Sequence, residues 1–518
     1  MKPILLVTPT PFDISAFGIR ALSAYLKHHG FKTRIVFFPG GINNYRHTVN
    51  YVYRYPEKVI SQLIELSQDS EIAGFSFMSL YYDRGLQLTR GLRSRFGGKI
   101  IWGGVHTMVN IESSLNEVDA VCIGEGEEAI LALARQLPFE NVPNLAYKKD
   151  GLIKYNNLAP LLQDVDNLPY CDIDTEGHFI YMEHKKEIVP LTEETYKYHA
   201  PRISHTDGKR RICYRLMTTR GCPHSCSYCI NNLYHKLYKN QMHSRRRSVD
   251  NIIKEMKLAI DKYPWYSGIQ FFDDTFFATP FKYLEELVQK YKEEINLPIY
   301  AQTSPATLTE QKIDLLIDAG LMYLEMGIQT TSSETEACYE RQTGTDRIRK
   351  SIQILNTRKE KMLAPRYHII LDNPWETEEA LLTTLETILK LPQPYDTCLS
   401  SLTFFHGTPL YERAKKEGLI KDEELEINRH PFGIPKGDYL NFLIYLACYS
   451  LLPKGIIRKL ATPRYVKYLH KDKFNKFYNS LYFWLERLRF LEKGLKAVFS
   501  GRLFGILFHL KQRIGVGW

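Results

Sequence analysis

The sequence predicts an α/β protein in three parts: an N-terminal doubly wound parallel sheet, a partial (β/α)6 barrel, and a helical, basic C-terminal region. Three observations predict it. Short apolar runs alternate with amphipathic segments twice, over residues 1–140 and again over 211–420. The stretch between, 141–210, lacks long periodic segments and reads as a connector. From about Lys421 to the end, 421–518, the pattern turns helical and aromatic, with an excess of Lys and Arg. Strands alternating with helical patterns at this spacing make parallel sheets.

In the first part, strands are expected at Ile4–Thr8, Thr33–Phe38, Ile72–Ser76, Lys99–Trp102 and Ala120–Ile123, with helices such as Ile19–His28 and Leu86–Arg95 between them. Ligands of such sheets sit beyond the carboxyl ends of the strands. Those ends carry Thr8-Pro9-Thr10, Ser76-Phe77-Met78, Gly103-Gly104-Val105-His106 and Gly124-Glu125-Gly126-Glu127. Glycine there lets a large flat ligand approach the backbone. In the connector, Asp150-Gly151 between two short apolar runs predicts a small hairpin. In the third stretch, strands are expected at Arg215–Thr219, Gly268–Phe272, Ile299–Gln302, Tyr323–Ile328, Tyr367–Leu371 and Cys398–Phe404. Helices such as Val249–Lys262, Tyr283–Lys292 and Glu310–Ala319 lie between. Chemistry in such barrels belongs at the strand C-termini.

Directly after the first of these strands comes Arg220-Gly221-Cys222-Pro223-His224-Ser225-Cys226-Ser227-Tyr228-Cys229. Three thiolates at C-x3-C-x2-C can hold three irons of a cubane [4Fe–4S] cluster and leave the fourth open to a small molecule. A structural zinc site asks for four ligands, usually in paired knuckles. No second knuckle follows, and the next cysteine is Cys338. Three buried or zinc-bound cysteines are the alternative.

The 518 residues exceed one compact core. Met1-Lys2-Pro3 leads straight into a strand, so no signal peptide is expected. The apolar run Tyr439–Leu452 contains Asn441, is too short to span a bilayer, and reads as a buried or interfacial helix. Nine cysteines, three of them clustered, do not form a disulfide framework; a cytoplasmic location fits. The net charge of +10 is uneven. Residues 454–518 hold 15 Lys and Arg against 3 acids, a net +12, so the rest of the chain is close to −2.

With its Tyr before the last cysteine, the C-x3-C-x2-C motif resembles the signature of the radical S-adenosylmethionine (SAM) superfamily. The first 140 residues resemble the cobalamin-binding domain that precedes this barrel in the cobalamin-dependent radical SAM enzymes. The order of Gly103-Gly104-Val105-His106, Val118-Asp119-Ala120-Val121, Gly124-Glu125-Gly126-Glu127, Phe271-Phe272-Asp273-Asp274-Thr275-Phe276, Gly327-Ile328-Gln329-Thr330 and Gly407-Thr408-Pro409-Leu410 carries the likeness. The resemblance implies that Cys222, Cys226 and Cys229 ligate the cluster and that Tyr228 packs near the SAM adenine. It puts Asp273 and Asp274 at the SAM amino end, and Gln302, Glu325 and Gln329 toward its ribose or carboxylate. Consecutive carboxylates on a strand end point to opposite faces, so at most one of the two aspartates faces SAM. Ser76, Gly103, Gly104, Gly124, Glu125 and Gly126 would line the cobalamin. His106 is either a cobalamin contact or a loop hydrogen-bonding residue. One departure stands out. The loop after the first strand, Thr8 to Ile14, holds no His, so a bound cobalt would lack a lower His ligand.

The resemblance implies a C-methyltransferase working through a 5′-deoxyadenosyl radical and methylcobalamin, with a one-electron donor such as flavodoxin or ferredoxin. The alternatives are a cyclase, rearrangement or carbon–carbon coupling enzyme of the same build, a tRNA methylthiotransferase, and a non-catalytic metal-binding module. The methylthiotransferase is disfavoured because no cysteine precedes Cys122. Trp375 either lines the substrate pocket or belongs to a loop before a helix capped by Thr377. In the tail, Leu481, Trp484, Leu485, Leu488, Leu491 and Leu495 recur at helical spacing, with Arg487, Arg489, Lys493 and Lys496 between. The readings are a helix packed on the barrel with a solvated basic face, or peripheral membrane contact for a lipid-like substrate; nucleic acid is not expected. The other scattered cysteines read as small buried hydrophobes.

Overall fold

The computed structural model describes residues 2–40, 53–205, 207–341, 343–423, 426–427 and 437–499. Two sheets dominate. The first uses β1 (Ile4–Thr10), β2 (Thr33–Pro39), β3 (Ile72–Ser76), β4 (Lys99–Gly103), β5 (Ala120–Cys122), β6 (Leu145–Lys149), β7 (Leu152–Tyr155), β8 (Phe179–Met182) and β9 (Glu187–Pro190), in the order β7-β6-β5-β4-β3-β1-β2-β8-β9. Its central β1 is buried at every position, as expected of a parallel strand covered on both faces. The strand order reverses between β3 and β1, and the crevice at that switch is where a doubly wound sheet receives its ligand.

The stretch 141–210, expected as a connector, extends this sheet instead. β6 and β7 form the hairpin at Asp150-Gly151, whose positive φ angles of 52° and 75° suit a two-residue turn, and β6 pairs antiparallel with β5. β8 and β9 add to β2 on the other side. Both edges of the five-strand core are thereby covered rather than left with unpaired amide groups.

The second sheet holds β10 (Arg202–Ser204), β11 (Arg210–Leu216), β14 (Gly268–Phe271), β15 (Ile299–Thr303), β16 (Leu321–Gln329), β17 (Arg366–Leu371) and β18 (Asp396–Ser401), in sequential order. From β11 to β18 every pairing is parallel, and β10 joins β11 antiparallel. β11 and β18 do not pair, so the barrel is open. Between β11 and β14 a short ribbon, β12 (Thr219–Arg220) with β13 (Arg245–Arg246), frames the cysteine loop. Side chains of Ser248, Thr309, Ser332, Thr377 and Thr408 each accept a backbone N–H at the start of a helix, which sets where each strand-to-helix loop ends.

The apolar run near 440 forms a buried helix, Tyr439–Cys448, packed on helix Glu378–Lys390. Helices Lys454–Leu460, Pro463–Leu469 and Asn475–Phe499 gather around it. No helix among the described residues is long and apolar enough to cross a membrane.

Candidate active site

The cysteine loop is held from both ends. Asp273, fully buried, accepts four hydrogen bonds on one carboxylate oxygen: from the N–H groups of Thr218 (2.8 Å) and Thr219 (2.6 Å) and from their hydroxyls (2.9 and 2.6 Å). Burial pushes this carboxyl up, against the pull of those donors. Gly221 then turns the chain with φ +83°; a Cβ there would lie 2.1 Å from the carbonyl oxygen of His243, so the position accepts only glycine. At the far end, the N–H of Ser227 donates to the Tyr339 carbonyl (3.0 Å), and Leu410 donates to Ser227 (3.1 Å).

A cavity of about 630 Å³ opens beside this loop. Cys222, Cys226, Cys229, Tyr228, Asp274, Gln302, Glu325 and Gln329 all line it. Asp273 does not: it points the other way and holds the loop, while its neighbour Asp274 faces the cavity and accepts from the Asn231 amide at 3.0 Å. Alternation at the strand end accounts for the split. Gln329 reaches the cavity through a register shift at the end of β16 and a left-handed φ of +68°, a strain of about 1–3 kcal/mol.

Two groups here had no sequence signal strong enough to single them out. Arg341 donates to the Tyr228 hydroxyl (3.1 Å) and the Gly327 carbonyl (2.8 Å), bringing a cation to a cavity that Asp274, Glu325 and Glu340 also line; only the fold brings it from its loop. His368 sits between Glu325, 3.1 Å from its Nε2, and Cys398, its partner across β17 and β18. Against the effect of burial, these two neighbours raise the imidazole to about 9, and the imidazole in turn lowers the Cys398 thiol, although burial opposes that too. The inward alternation of Arg366, His368 and Ile370 along β17 is the signal by which this residue could have been found.

The donor set suits a cluster. Burial pushes Cys222 up to about 11 and Cys229 up to about 12, so ionising them calls for a strongly positive partner. Among the described residues no three Cys, His, Asp or Glu side chains converge on a point that could hold a single ion. In a cubane each thiolate takes a different iron, and the sulfurs stand apart.

A second cavity, of about 390 Å³, lies at the switch point of the first sheet and is roofed by the barrel. Ser76, Gly103, Gly104, Gly124, Glu125 and Gly126 line it from the sheet side, and Tyr234, His235 and His243 from the barrel side. A Cβ on Gly103 would meet nothing nearer than 3.7 Å, and one on Gly18 nothing nearer than 3.8 Å. The protein's own packing does not need glycine at either place. Bare backbone there leaves a floor for a flat ligand, so the residues fit a corrin. Gly104, by contrast, has φ +93° and abuts the Phe77 carbonyl.

His106 is not part of this wall. It is 1% exposed, stacks between Phe77 and Tyr82, and bonds to Ser79 at 3.2 Å, and burial pushes its imidazole down to about 3. The expectation of a cobalamin contact at His106 is therefore corrected: its short helix, Val105–Val109, turns it into the core. Trp375 likewise lines neither cavity; it donates to Glu417 and stacks under Arg413. Cys222 and Asn231 line both cavities, so one wall separates them.

Two family models match the chain, one after the other. The B12 binding domain model covers residues 3–134 and the Radical SAM superfamily model residues 216–388. The chain belongs to the cobalamin-dependent radical SAM family. Among curated relatives, an uncharacterized methyltransferase of Pyrococcus horikoshii, PH0819, is 25% identical over 62% of this chain; the match spans 64% of that relative's length. The bacteriochlorophyllide d C-8(2)-methyltransferase of Chlorobaculum tepidum is 22% identical over 70% of this chain and 72% of its own. Solved structures that resemble this fold include the following two. The radical SAM methyltransferase TsrM of Kitasatospora setae, with cobalamin and a [4Fe-4S] cluster bound, gives a TM-score of 0.61 at 14% identity over 80% of this chain and 78% of its own. The cobalamin-dependent radical SAM enzyme OxsB gives 0.54 at 15% identity over 82% and 56%.

Proposed function

We propose that this chain is a C-methyltransferase acting on an unactivated carbon of a small molecule, with a [4Fe-4S] cluster on Cys222, Cys226 and Cys229, SAM in the larger cavity, and cobalamin on the glycine floor between the sheets. When bound, the cluster supplies one electron for cleavage of SAM and cobalamin supplies a methyl carrier. The residues do the placing. Asp274, steadied by Asn231, offers an acceptor for an ammonium group, and Arg341 offers a donor for a carboxylate; an amino-acid end such as that of SAM needs both. Glu325, gripped by His368, Tyr323 (3.2 Å) and Arg366 (3.5 Å), is fixed as an acceptor deeper in the barrel. Burial would raise that carboxyl, but His368 and Arg366 leave it lowered and ionised.

The observation that carries the reading is the shared wall: Cys222 and Asn231 line both cavities, so a substrate carbon at the barrel mouth borders the cluster side and the glycine floor at once. A one-electron donor is required by the chemistry. The test is anaerobic purification, reconstitution with iron, sulfide and cobalamin, and a SAM turnover assay under reducing conditions. Methyl transfer gives S-adenosylhomocysteine together with 5′-deoxyadenosine. 5′-Deoxyadenosine without S-adenosylhomocysteine would mean a cyclase, rearrangement or coupling enzyme, and absence of both would refute radical SAM chemistry here.

A further inference from the structure

We propose that the C-terminal helix Asn475–Phe499 seats the protein on an anionic lipid bilayer through the face formed by Phe477, Leu481, Trp484, Leu488 and Leu491. These residues recur at steps of four, three, four and three, which keeps them on one line along an α-helix. The face is turned to solvent: Phe477 is 57% exposed, Trp484 57%, Leu488 58% and Leu491 59%. Isolated exposed leucines are ordinary; a continuous apolar line with a central Trp is not.

The direction of this face is set by what the other side does. Tyr478 is 5% exposed, the rings of Tyr445 and Tyr482 lie 4.4 Å apart, the Tyr445 hydroxyl donates to Glu486 (2.8 Å), and the Arg489 guanidinium lies 3.3 Å over the Tyr449 ring. The helix is therefore bolted to the buried helix Tyr439–Cys448, and its apolar line is held outward. Of the basic residues expected to form a solvated face, Arg489 is instead part of this bolt; the side chains of Lys493, Leu495 and Lys496 lie outside the described residues. Ile456 (47% exposed) and Tyr468 (67%) are further exposed apolar side chains of the C-terminal region.

Charge selects the occupant. Residues 454–518 carry a net +12 while the remainder is near −2, so the positive field is confined to the region that bears the apolar line. Lys473 and Lys476 open the helix region, and Arg487 lies over the Phe483 ring, 4.0 Å from its centroid. An apolar line flanked by cations, with an aromatic at its middle, matches an interface of acyl chains below and anionic headgroups around. A second copy of the chain fits poorly, because it would bring two such cationic regions together. The sequence beyond the helix keeps the same chemistry, with Leu503, Phe504, Ile506, Leu507 and Phe508 among Arg502, Lys511 and Arg513. Such docking would serve a lipid-like substrate, yet it stands independently of the methyl-transfer reading, because it needs neither cluster nor SAM.

The experiment uses the full-length chain without cofactors. Its co-sedimentation is measured with phosphatidylglycerol–phosphatidylcholine vesicles and with pure phosphatidylcholine vesicles, and the emission of Trp484 is read as the difference between wild type and Trp484→Phe. Expected are binding to the anionic vesicles that weakens in high salt, a blue shift of Trp484 on binding, and a loss of about tenfold or more in partitioning for the triple variant Trp484→Ala, Leu488→Ala, Leu491→Ala. The single variant Leu488→Gln, checked for an unchanged melt, should show a smaller loss. Failure to bind anionic vesicles would overturn the proposal, as would binding unaltered in the variants. So would a Trp484 emission already blue and unmoved by vesicles, or a dimer in solution that the triple variant dissolves; either would mean that protein covers this face.

Discussion

Arg245 forks onto Glu125: its two terminal nitrogens lie 3.0 and 2.5 Å from the two carboxylate oxygens. Glu125 belongs to the glycine loop after β5, and Arg245 to the ribbon strand β13 that braces the cysteine loop. Arg220, next to Gly221, reinforces the joint with a 2.6 Å pair to Glu127. The two cavities are thus set against each other by charge pairs, and the stretch between the sheets adds to the joint, since Arg245 also donates to the Leu162 carbonyl at 2.9 Å. Glu125, expected to touch cobalamin, lines its cavity while spending its charge on the barrel.

Removing Glu125 should therefore do more than change one cavity wall. Arg245 is 4% exposed, and Glu125→Ala would leave it without its carboxylate, a loss of about 3–5 kcal/mol in stability. The melting temperature should fall, and cobalamin retention on gel filtration should fall with it. The pH dependence has a definite sign. Burial would raise the Glu125 carboxyl, but Arg245 and Arg220 leave it lowered. Its contribution is present above the ordinary value of 4.5 and is lost as pH falls through the lowered one. Unfolding by urea across the acid range should show that limb in the wild type and a weaker one in Glu125→Gln.

Asp273 and Asp274 should part company on mutation. Asp273→Ala strips the acceptor from two backbone N–H groups and two hydroxyls, for a destabilisation of roughly 2–5 kcal/mol. Asp274→Asn should leave the melt unchanged and weaken SAM binding by about tenfold, or 1.4 kcal/mol. Calorimetric titration of reconstituted protein with SAM, beside thermal melts, separates the two. Equal effects on SAM affinity at both positions, with no change in stability, would contradict the assignment.

Much of this arrangement was legible beforehand, and the exceptions have physical causes. Strands such as Ile4–Thr10 and Thr33–Pro39 announce themselves because a parallel strand buried on both faces is a run of apolar residues. β8 and β9 do not: they are only four residues each, β9 lies at the sheet edge, and Glu187 breaks the apolar pattern. The cysteine spacing marks its own loop, since all three donors must come from a single turn of chain. Arg341 could not be read in that way. Its place follows from where the loop after β16 returns, and no local spacing encodes that return. His106 misleads for a similar reason. It follows a glycine pair that lines a cavity, yet the chain coils into a short helix immediately after, and the ring turns inward.

Gly221→Ala tests the hinge of the cysteine loop. The added methyl would collide with the His243 carbonyl at 2.1 Å in a left-handed backbone, so the loop must shift while the sheets around it stay in place. Iron and sulfide bound after anaerobic reconstitution should drop by half or more, with the far-ultraviolet circular dichroism of the wild type retained. Full cluster content in this variant would show that the loop tolerates the shift.

Cys398 should be more reactive than Cys122, Cys171, Cys213 and Cys448. Its thiol is lowered by His368, whereas burial pushes Cys122, Cys171, Cys213 and Cys448 up to about 12. The thiolate is the nucleophile, so iodoacetamide at neutral pH should label Cys398 ahead of those four. Peptide mass spectrometry against time gives the rates. His368→Ala should slow the labelling of Cys398 about tenfold and leave the others as they were; labelling unaffected by His368 would remove the imidazole from the account.

Glu376 sets a pH dependence of the opposite kind from that of Glu125. It lies in the loop after β17, where the Thr335 hydroxyl donates to one carboxylate oxygen at 2.9 Å and the other is buried. Burial, with Asp372 and Glu334 nearby, pushes its carboxyl up to about 7 from the ordinary 4.5. The folded protein therefore holds this proton more tightly than the unfolded chain does. Stability is undiminished below 4.5 and declines as pH rises through about 7, above which the buried carboxylate costs its full amount. Glu376→Gln keeps the Thr335 bond and removes the titration. Urea midpoints measured from mildly acidic to mildly alkaline pH should decline in the wild type and decline less in the variant, which should be the more stable of the two above neutrality. A variant that tracks the wild type across the whole range would place this carboxyl in contact with water, and with it the loop that joins β17 to the helix Glu378–Lys390.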